Sequence, residues 1–289
     1  LTNGLVQRVF RVTPNVACID YQNLTNGQQL LRAIQPEAIL VIDGNTINVG
    51  GLTGQKEKAY LRTEWIDAMQ SDPDAFQFKS YSITAITPFI KWKPTGWTLN
   101  KKQATGKLLT FVFESSKPEL KNIIVNVHYE LYDGVPLIVK WVSVENKSNR
   151  IVTINKLVNE VLSVVEEESA VVGSVAQMEK QHGIYIETNY AFNNSMRYSI
   201  SDQTIHWKKD TTYTSQVNYD YNTPAVLEVY TEKVTSVELQ PNKTFNSVRT
   251  YELLMDSYDR ERRGLAIRKM YSTVAPWTTE NPIFMHLVS

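Results

Sequence analysis

The stretch 123-IIVNVHYELYDGVPLIVKWVSVEN-146 decides the fold class. Its residues alternate with period two. Val125, Val127, Tyr129 and Leu131 fall on one face, and Asn126, His128 and Glu130 on the other. Successive side chains of a strand point to opposite faces, so this is the pattern of a half-buried strand. Asp133-Gly134 offers the positive φ of a tight hairpin, and a second strand returns through Val139 and Trp141. Trp141, inside an apolar strand, is expected in the core.

The same texture continues in both directions. A second hairpin reads at 38-AILVIDGNTINV-49, turning at Asp43-Gly44-Asn45. Further strand-like runs are 5-LVQRVFRV-12, 76-FQFKSYSI-83, 108-LLTFVFE-114, Ile184–Thr188, 225-AVLEVYTE-232 and 245-FNSVRTYELL-254. Turn signals fall every ten or so residues, at Thr25-Asn26-Gly27, Ser71-Asp72-Pro73-Asp74, Pro94-Thr95-Gly96 and Gln240-Pro241-Asn242. Many short strands at this spacing point to an all-β sandwich or barrel. A parallel α/β sheet would need helices between the strands, and there are almost none. Two stretches differ. Residues 60-YLRTEWIDAMQ-70 read as a short helix or structured loop. In 256-DSYDRERRGLAIRKMYSTV-274, Ile267, Met270, Tyr271 and Val274 recur at helical spacing. Asp256 or Ser257 is expected to cap that helix and Pro276 to stop it.

Composition narrows the classes. The chain has 289 residues, 42% hydrophobic and 21% charged, with 30 basic against 30 acidic side chains. Such a length buries about 75% of the unfolded surface, and a balanced charge gives no broad field for nucleic acid or an anionic membrane. The acidic run Glu166-Glu167-Glu168 reads as a solvated turn. Cys18 is the single cysteine, so no internal disulfide can form, and Val16-Ala17-Cys18-Ile19 reads as buried strand. No apolar run reaches the ~18 residues of a membrane span. The expected location is periplasmic or secreted, with the cytoplasm also compatible.

Catalytic and metal motifs are sparse. His128, His182, His206 and His286 lie far apart with no metal-ligand spacing, and there is no G-x-S-x-G elbow. Gly50-Gly51-Leu52-Thr53-Gly54-Gln55-Lys56 lacks the spacing of a phosphate loop, so its glycines are expected to serve backbone geometry. No metal or cofactor is expected. What the chain does carry is aromatic side chains among short polar groups: Glu64-Trp65-Ile66-Asp67, Lys91-Trp92-Lys93-Pro94-Thr95-Gly96-Trp97, His206-Trp207-Lys208-Lys209, and the Tyr-, Asn-, Ser- and Thr-rich segment from Tyr185 to Tyr221. Sugars present apolar C–H faces ringed by hydroxyls, and such texture suits them. Trp65 stands outside the strand pattern, with Glu64 and Asp67 beside it.

The ends add a further signal. "NGLVQRVFRVTPN", "GQQLLRAIQPEAILVIDG", "VGGLTGQKEKAYLRTEWID" and "SVRTYELLMDSYDRERRGLAIRKMYSTVAPWTTENPIFMH" resemble the amino-terminal part of α-galactosidase-like glycoside hydrolases of the family 36 kind. The resemblance implies a large two-sheet antiparallel supersandwich, akin to galactose mutarotase, over 1–255. A linker helix over 256–275 and the start of a catalytic barrel at 276–289 follow, with Pro282–Leu287 as its first strand. It also implies retaining hydrolysis by two aspartates about 5 Å apart, on later barrel strands that this sequence does not contain. It makes Trp65 the aromatic side chain lent to the sugar, with Asp67 or Glu64 accepting from its hydroxyls.

The expected function is therefore the non-catalytic domain of a glycoside hydrolase, supporting its barrel and lending a loop to a galactoside-like carbohydrate. A stand-alone carbohydrate-binding module is a second reading. A mutarotase-type epimerase, in which His128 would meet His206 and Glu130, is a third. No nucleic acid or membrane partner is expected. The terminal apolar run is expected to be held by the sandwich or by another copy of the chain, which would make a homo-oligomer.

Overall fold

The computed structural model describes residues 1–94, 102–167, 181–190, 203–213, 225–233 and 236–279. Residues 95–97, Glu168, the stretches 191–202 and 214–221, His286 and the Pro282–Leu287 run lie outside them.

Among the described residues eighteen strands, all paired antiparallel, form four sheets. The largest has seven strands. Its path is β13 (Ile184–Thr188), β18 (Thr250–Leu254), β10 (Leu137–Asn146), β9 (Ile123–Tyr132), β8 (Gly106–Glu114) and β7 (Gln77–Ala85), with β17 (Lys243–Asn246) also on β10. Facing it are three smaller sheets. One is β1 (Val6–Arg11), β2 (Ala17–Asn23) and β3 (Gln28–Gln29). The second runs β14 (Ile205–Lys209), β15 (Ala225–Val229), β12 (Glu160–Val164), β4 (Leu31–Ala33). The third runs β16 (Val237–Leu239), β11 (Val152–Val158), β5 (Ala38–Ile42), β6 (Asn45–Val49). The all-β sandwich holds, with its second layer divided into pieces. Only Asn159 separates β11 from β12, so one chain segment crosses from one four-stranded sheet to the next.

The inner face of the large sheet carries Phe111, Phe113, Val125, Val127, Ile138 and Val142 into one continuous core. The register explains why. Val127 sits opposite Val142, and Tyr129 opposite Lys140, so these pairs share the inward face. The hairpin turns behave as their residues require: Asp43 and Gly44 have φ of 48° and 79°, and Gly134 has 71°. Gly50 also has positive φ, and a Cβ there would meet the Val16 carbonyl oxygen at 2.7 Å. Close backbone approach, not phosphate, accounts for that glycine.

The core also holds charge. Arg8, Lys140, Glu160 and Glu252 are all at most 1% exposed. Arg8 contacts Glu160 at 3.0 Å and Glu252 at 3.2 Å, and Lys140 contacts Glu160 at 2.9 Å. Tyr21 donates to Glu252 at 2.9 Å, Lys140 donates to the Glu37 carbonyl at 2.6 Å, and the Tyr129 hydroxyl donates to the Glu37 carboxylate. Burial alone would raise Glu160, but Arg8 and Lys140 outweigh it and hold the group at about 2. Burial and the adjacent Glu160 push Glu252 far above the carboxylate range. Two cations thus share Glu160, and burial together with Glu160 favours the protonated form of Glu252 beside them.

Two helices matter for function. α1 is a single turn, Thr63–Ile66, and α2 runs Arg260–Val274. α2 starts later than its sequence suggests. Asp259 caps it by accepting from the Arg262 amide at 2.9 Å, whereas Asp256 pairs with the Arg262 side chain and Ser257 accepts from the Asp259 amide. Ile267, Met270, Tyr271 and Val274 pack on Tyr132, Val139 and Leu253, so α2 lies on the outer face of the large sheet.

Candidate functional site

The loop carrying α1 is pinned at its neck. Thr53 and Gln70 exchange backbone hydrogen bonds of 2.7 and 3.1 Å. Gln55 ties the loop inside, donating to the Glu57 and Tyr60 carbonyls and accepting from the Ile34 amide. Ile66 and Met69 are buried and anchor it from below. This bracing leaves Trp65 half-buried at the surface. Tyr60, 52% exposed, lies with its ring 5.3 Å from Trp65, and the Arg62 guanidinium stands 5.9 Å from the indole. Glu64 forms an ion pair with Arg62, while Asp67 turns away to Arg11 at 2.6 Å. Trp65, Tyr60, Arg62 and Glu64 therefore form one surface group, and Asp67 braces the loop against β1.

A second group covers the outer face of the large sheet. Register places Asn126 opposite Ser143 and His128 opposite Trp141. Along this face Asn126 donates to Glu145 at 2.7 Å, and His128 bonds Thr110 through Nδ1 at 3.0 Å and Ser143 through Nε2 at 2.9 Å. The His128 and Trp141 rings stack at 4.6 Å and 14°. The Arg249 guanidinium lies 3.7 Å from the Trp141 ring and 4.4 Å from Phe89, and donates to Glu130 at 2.9 Å. Tyr132 also donates to Glu130 at 2.9 Å. Trp141 is buried as expected, but on this outer face and not between the sheets. Asn126 and Glu130, on the polar face of the alternation, are buried as well: Asn126 pairs with Ser143 and Glu145 on β10, and Glu130 with Tyr132 and Arg249.

The chemistry of this face is that of a closed network. Burial, then Arg249, pushes His128 down to about 4, so it is neutral at pH 7 with both ring nitrogens engaged. Burial pushes Glu130 up, against the pull of Arg249. His206 is elsewhere: it lies on β14, its ring stacked on Tyr230 at 3.8 Å and its Nε2 3.1 Å from Glu232. The structure does not bring His128, His206 and Glu130 together. His206-Trp207-Lys208-Lys209, read as aromatic-polar texture, is strand β14, and Trp207 packs partly against the core.

Where α2 meets the sheet, the outer face opens into a cavity of about 260 Å³. Phe89, Trp92, Tyr132, Tyr251, Tyr271 and Trp277 supply its aromatic wall, and Glu187 its carboxylate. Trp92 and Trp277 meet edge to face at 6.2 Å. The Tyr271 hydroxyl donates to Glu187 at 2.5 and 2.6 Å, and the Tyr185 hydroxyl at 2.8 Å. Burial, reinforced by Glu187, pushes Tyr271 up to about 12 and raises Tyr185. Glu187 drew no attention in the sequence. Its signal was available: Tyr185 and Glu187 alternate on one strand face, and Tyr271 stands on the apolar stripe of α2. Among the described residues no cluster of His, Cys, Asp and Glu could hold a metal ion. Cys18 is buried, and burial pushes its thiol up to about 12.

No protein-family profile matches the chain, and no curated protein matches it in sequence. Solved structures do match. An α-galactosidase from Lactobacillus brevis superposes with a TM-score of 0.51 at 10% identity, over 94% of this chain and 41% of that one. A family 36 α-galactosidase variant from Geobacillus stearothermophilus, in complex with 1-deoxygalactonojirimycin, superposes with a TM-score of 0.50 at 10% identity, over 94% and 42%. At that identity the likeness is one of fold. The chain spans about two fifths of the length of these enzymes, and its fold is that of a part of family 36 α-galactosidases.

Proposed function

We propose that this chain is the non-catalytic β-sandwich domain of an α-galactosidase-like glycoside hydrolase, whose catalytic carboxylates lie outside these 289 residues. The observation that carries this reading is the engagement of the carboxylates around the Trp65 loop and on the outer face of the large sheet. Glu130 is held by Arg249 and Tyr132, Glu187 by two tyrosines, Glu64 by Arg62 and Asp67 by Arg11. Retaining hydrolysis needs two carboxyls about 5 Å apart across a sugar, one of them a free nucleophile. The fold likeness to part of larger α-galactosidases supports the same reading. In it, the braced loop presents the Trp65 and Tyr60 rings, tilted at 36° to each other, as an apolar surface to a galactoside, with Glu64 as a hydroxyl acceptor.

Hydrolysis of 4-nitrophenyl α-galactopyranoside tests both parts. The chain alone should release nitrophenol no faster than buffer, and the longer product of the same gene should turn the substrate over. In that longer product, Trp65→Ala should raise KM about tenfold, the weight of one stacked aromatic contact. Turnover by the chain alone would overturn the assignment. An unchanged KM would remove Trp65 from the sugar site. Saturable galactoside binding by the chain alone, lost in Trp65→Ala, would favour the binding-module reading.

A further inference from the structure

That reading assigns no ligand to the aromatic cavity beneath α2. Among the described residues its lining contains six aromatic side chains, one carboxylate, and no Lys, Arg or His. Glu187 forms no ion pair among the described residues; its partners are the Tyr185 and Tyr271 hydroxyls. The cation in contact with the wall, Arg249 over Phe89, is already paired with Glu130. The other polar side chains of the lining are largely engaged within the protein. Thr188 bonds Thr204 at 2.8 Å, Thr273 donates to the Lys269 carbonyl at 2.8 Å, and Asn189 accepts from the Arg249 amide at 2.8 Å.

What remains for a ligand is a set of π faces and one uncompensated negative charge. Ring faces are electron-rich, and a carboxylate adds to their potential. A phosphate or carboxylate ligand would be repelled. A neutral sugar would find the apolar faces but few unengaged donors and acceptors for its hydroxyls. A cation with an apolar shell matches both features, and the volume is that of a head group more than a drug-sized molecule. We propose that this cavity binds an organic ammonium group, carried by a small molecule or by a lysine side chain of a polypeptide. The proposal stands apart from the glycosidase assignment and can fail without it.

The test is titration of the 289-residue chain, read by the indole N–H signals of Trp92 and Trp277, assigned with Trp92→Phe and Trp277→Phe. The probes are choline, its uncharged isostere 3,3-dimethyl-1-butanol, a short lysine-containing peptide, and galactose. Choline or the peptide should shift both indoles saturably, with the isostere and galactose at least tenfold weaker. Glu187→Gln should weaken the cation at least tenfold. A peptide binding tighter than choline assigns the ammonium to a polypeptide, and the reverse assigns it to a small molecule. Equal binding of choline and isostere, galactose as the preferred ligand, no shift with any probe, or undiminished cation binding in Glu187→Gln would each overturn the proposal. The isostere comparison uses the unaltered chain, so it decides the matter even if Glu187→Gln does not fold.

Discussion

The two faces of the large sheet use the same strands and much the same side chains, to opposite ends. Inside, Lys140 and Glu252 join Arg8 and Glu160 where no water reaches. Outside, Arg249, Glu130, His128 and Glu187 sit at a boundary that is only partly closed. Buried charge carries a desolvation penalty of several kcal/mol per ion, so the interior must come to neutrality by itself. Glu160 is shared there by Arg8 and Lys140, and the second carboxyl, Glu252, is pushed towards its protonated form. The outer face is freer. It pairs Arg249 with Glu130, holds His128 neutral, and leaves Glu187 without a cation among the described residues. An uncompensated charge is tolerable only where solvent or a ligand can reach it, which is why the open cavity and the lone carboxylate coincide.

The largest expected effect lies inside. Glu160→Gln leaves Arg8 and Lys140 without the carboxylate they share, and should cost about 3–5 kcal/mol of stability in urea unfolding at pH 7. A loss below about 1 kcal/mol would mean that the network is not held by this charge. Glu252→Gln, on β18 and equally buried, should behave differently, changing stability by less than about 1 kcal/mol below pH 4.5, where the acid is protonated in both states and the amide resembles it. Its pH dependence gives the sharper reading. Glu252 is raised in the folded state, so its stabilising proton is fully present below its ordinary value of 4.5 and is lost as pH rises through the folded value. Glu252→Gln should therefore gain on the parent protein with rising pH, and parallel curves would refute the retained proton.

A pH dependence of opposite sign lies outside. His128 falls from an ordinary 6.5 to about 4 on folding. Its contribution is present above pH 6.5 and lost as pH falls towards 4, the sign expected for a group that binds its proton more weakly when folded. The ring signals of His128 should titrate near 4, and stability should fall by on the order of 1–2 kcal/mol between pH 6.5 and 5 through this residue. His128→Gln should lack that part of the slope. A titration midpoint near 6.5 would mean that the outer face is as open as an ordinary surface.

Much of this architecture was legible in the chain. The alternation through Val125, Val127, Tyr129 and Leu131 marks the inner face, and Asp43-Gly44 marks a turn that only positive φ can make. The helical stripe of Ile267, Met270, Tyr271 and Val274 names the buried side of α2, though its start moved to Asp259, which accepts from the Arg262 amide while Asp256 pairs with the Arg262 side chain and Ser257 accepts from the Asp259 amide. Parity along 137-LIVKWVSVEN-146 even puts Lys140 inward with Ile138 and Val142, a warning that the interior holds charge. The candidate site was less legible. Trp65 was found because it broke the strand pattern. Glu187 was not, since its meaning depends on Tyr271 from a helix 84 residues away.

Sequence alone determined the class of structure: period-two hydrophobicity forces strands, and strands this short and numerous bury their apolar faces only by layering. It also determined the turns, because their backbone angles are set by single residues. Tertiary structure decided which charges meet. Register brought His128 to Trp141, sheet packing brought Arg8 to Glu160 across 152 positions, and α2 folding back on the sheet made the cavity. Those outcomes depend on distances between remote segments, and no local pattern encodes a distance. Electrostatics in a low-dielectric interior is governed by such distances, so the fold could be read along the chain while the chemistry could not.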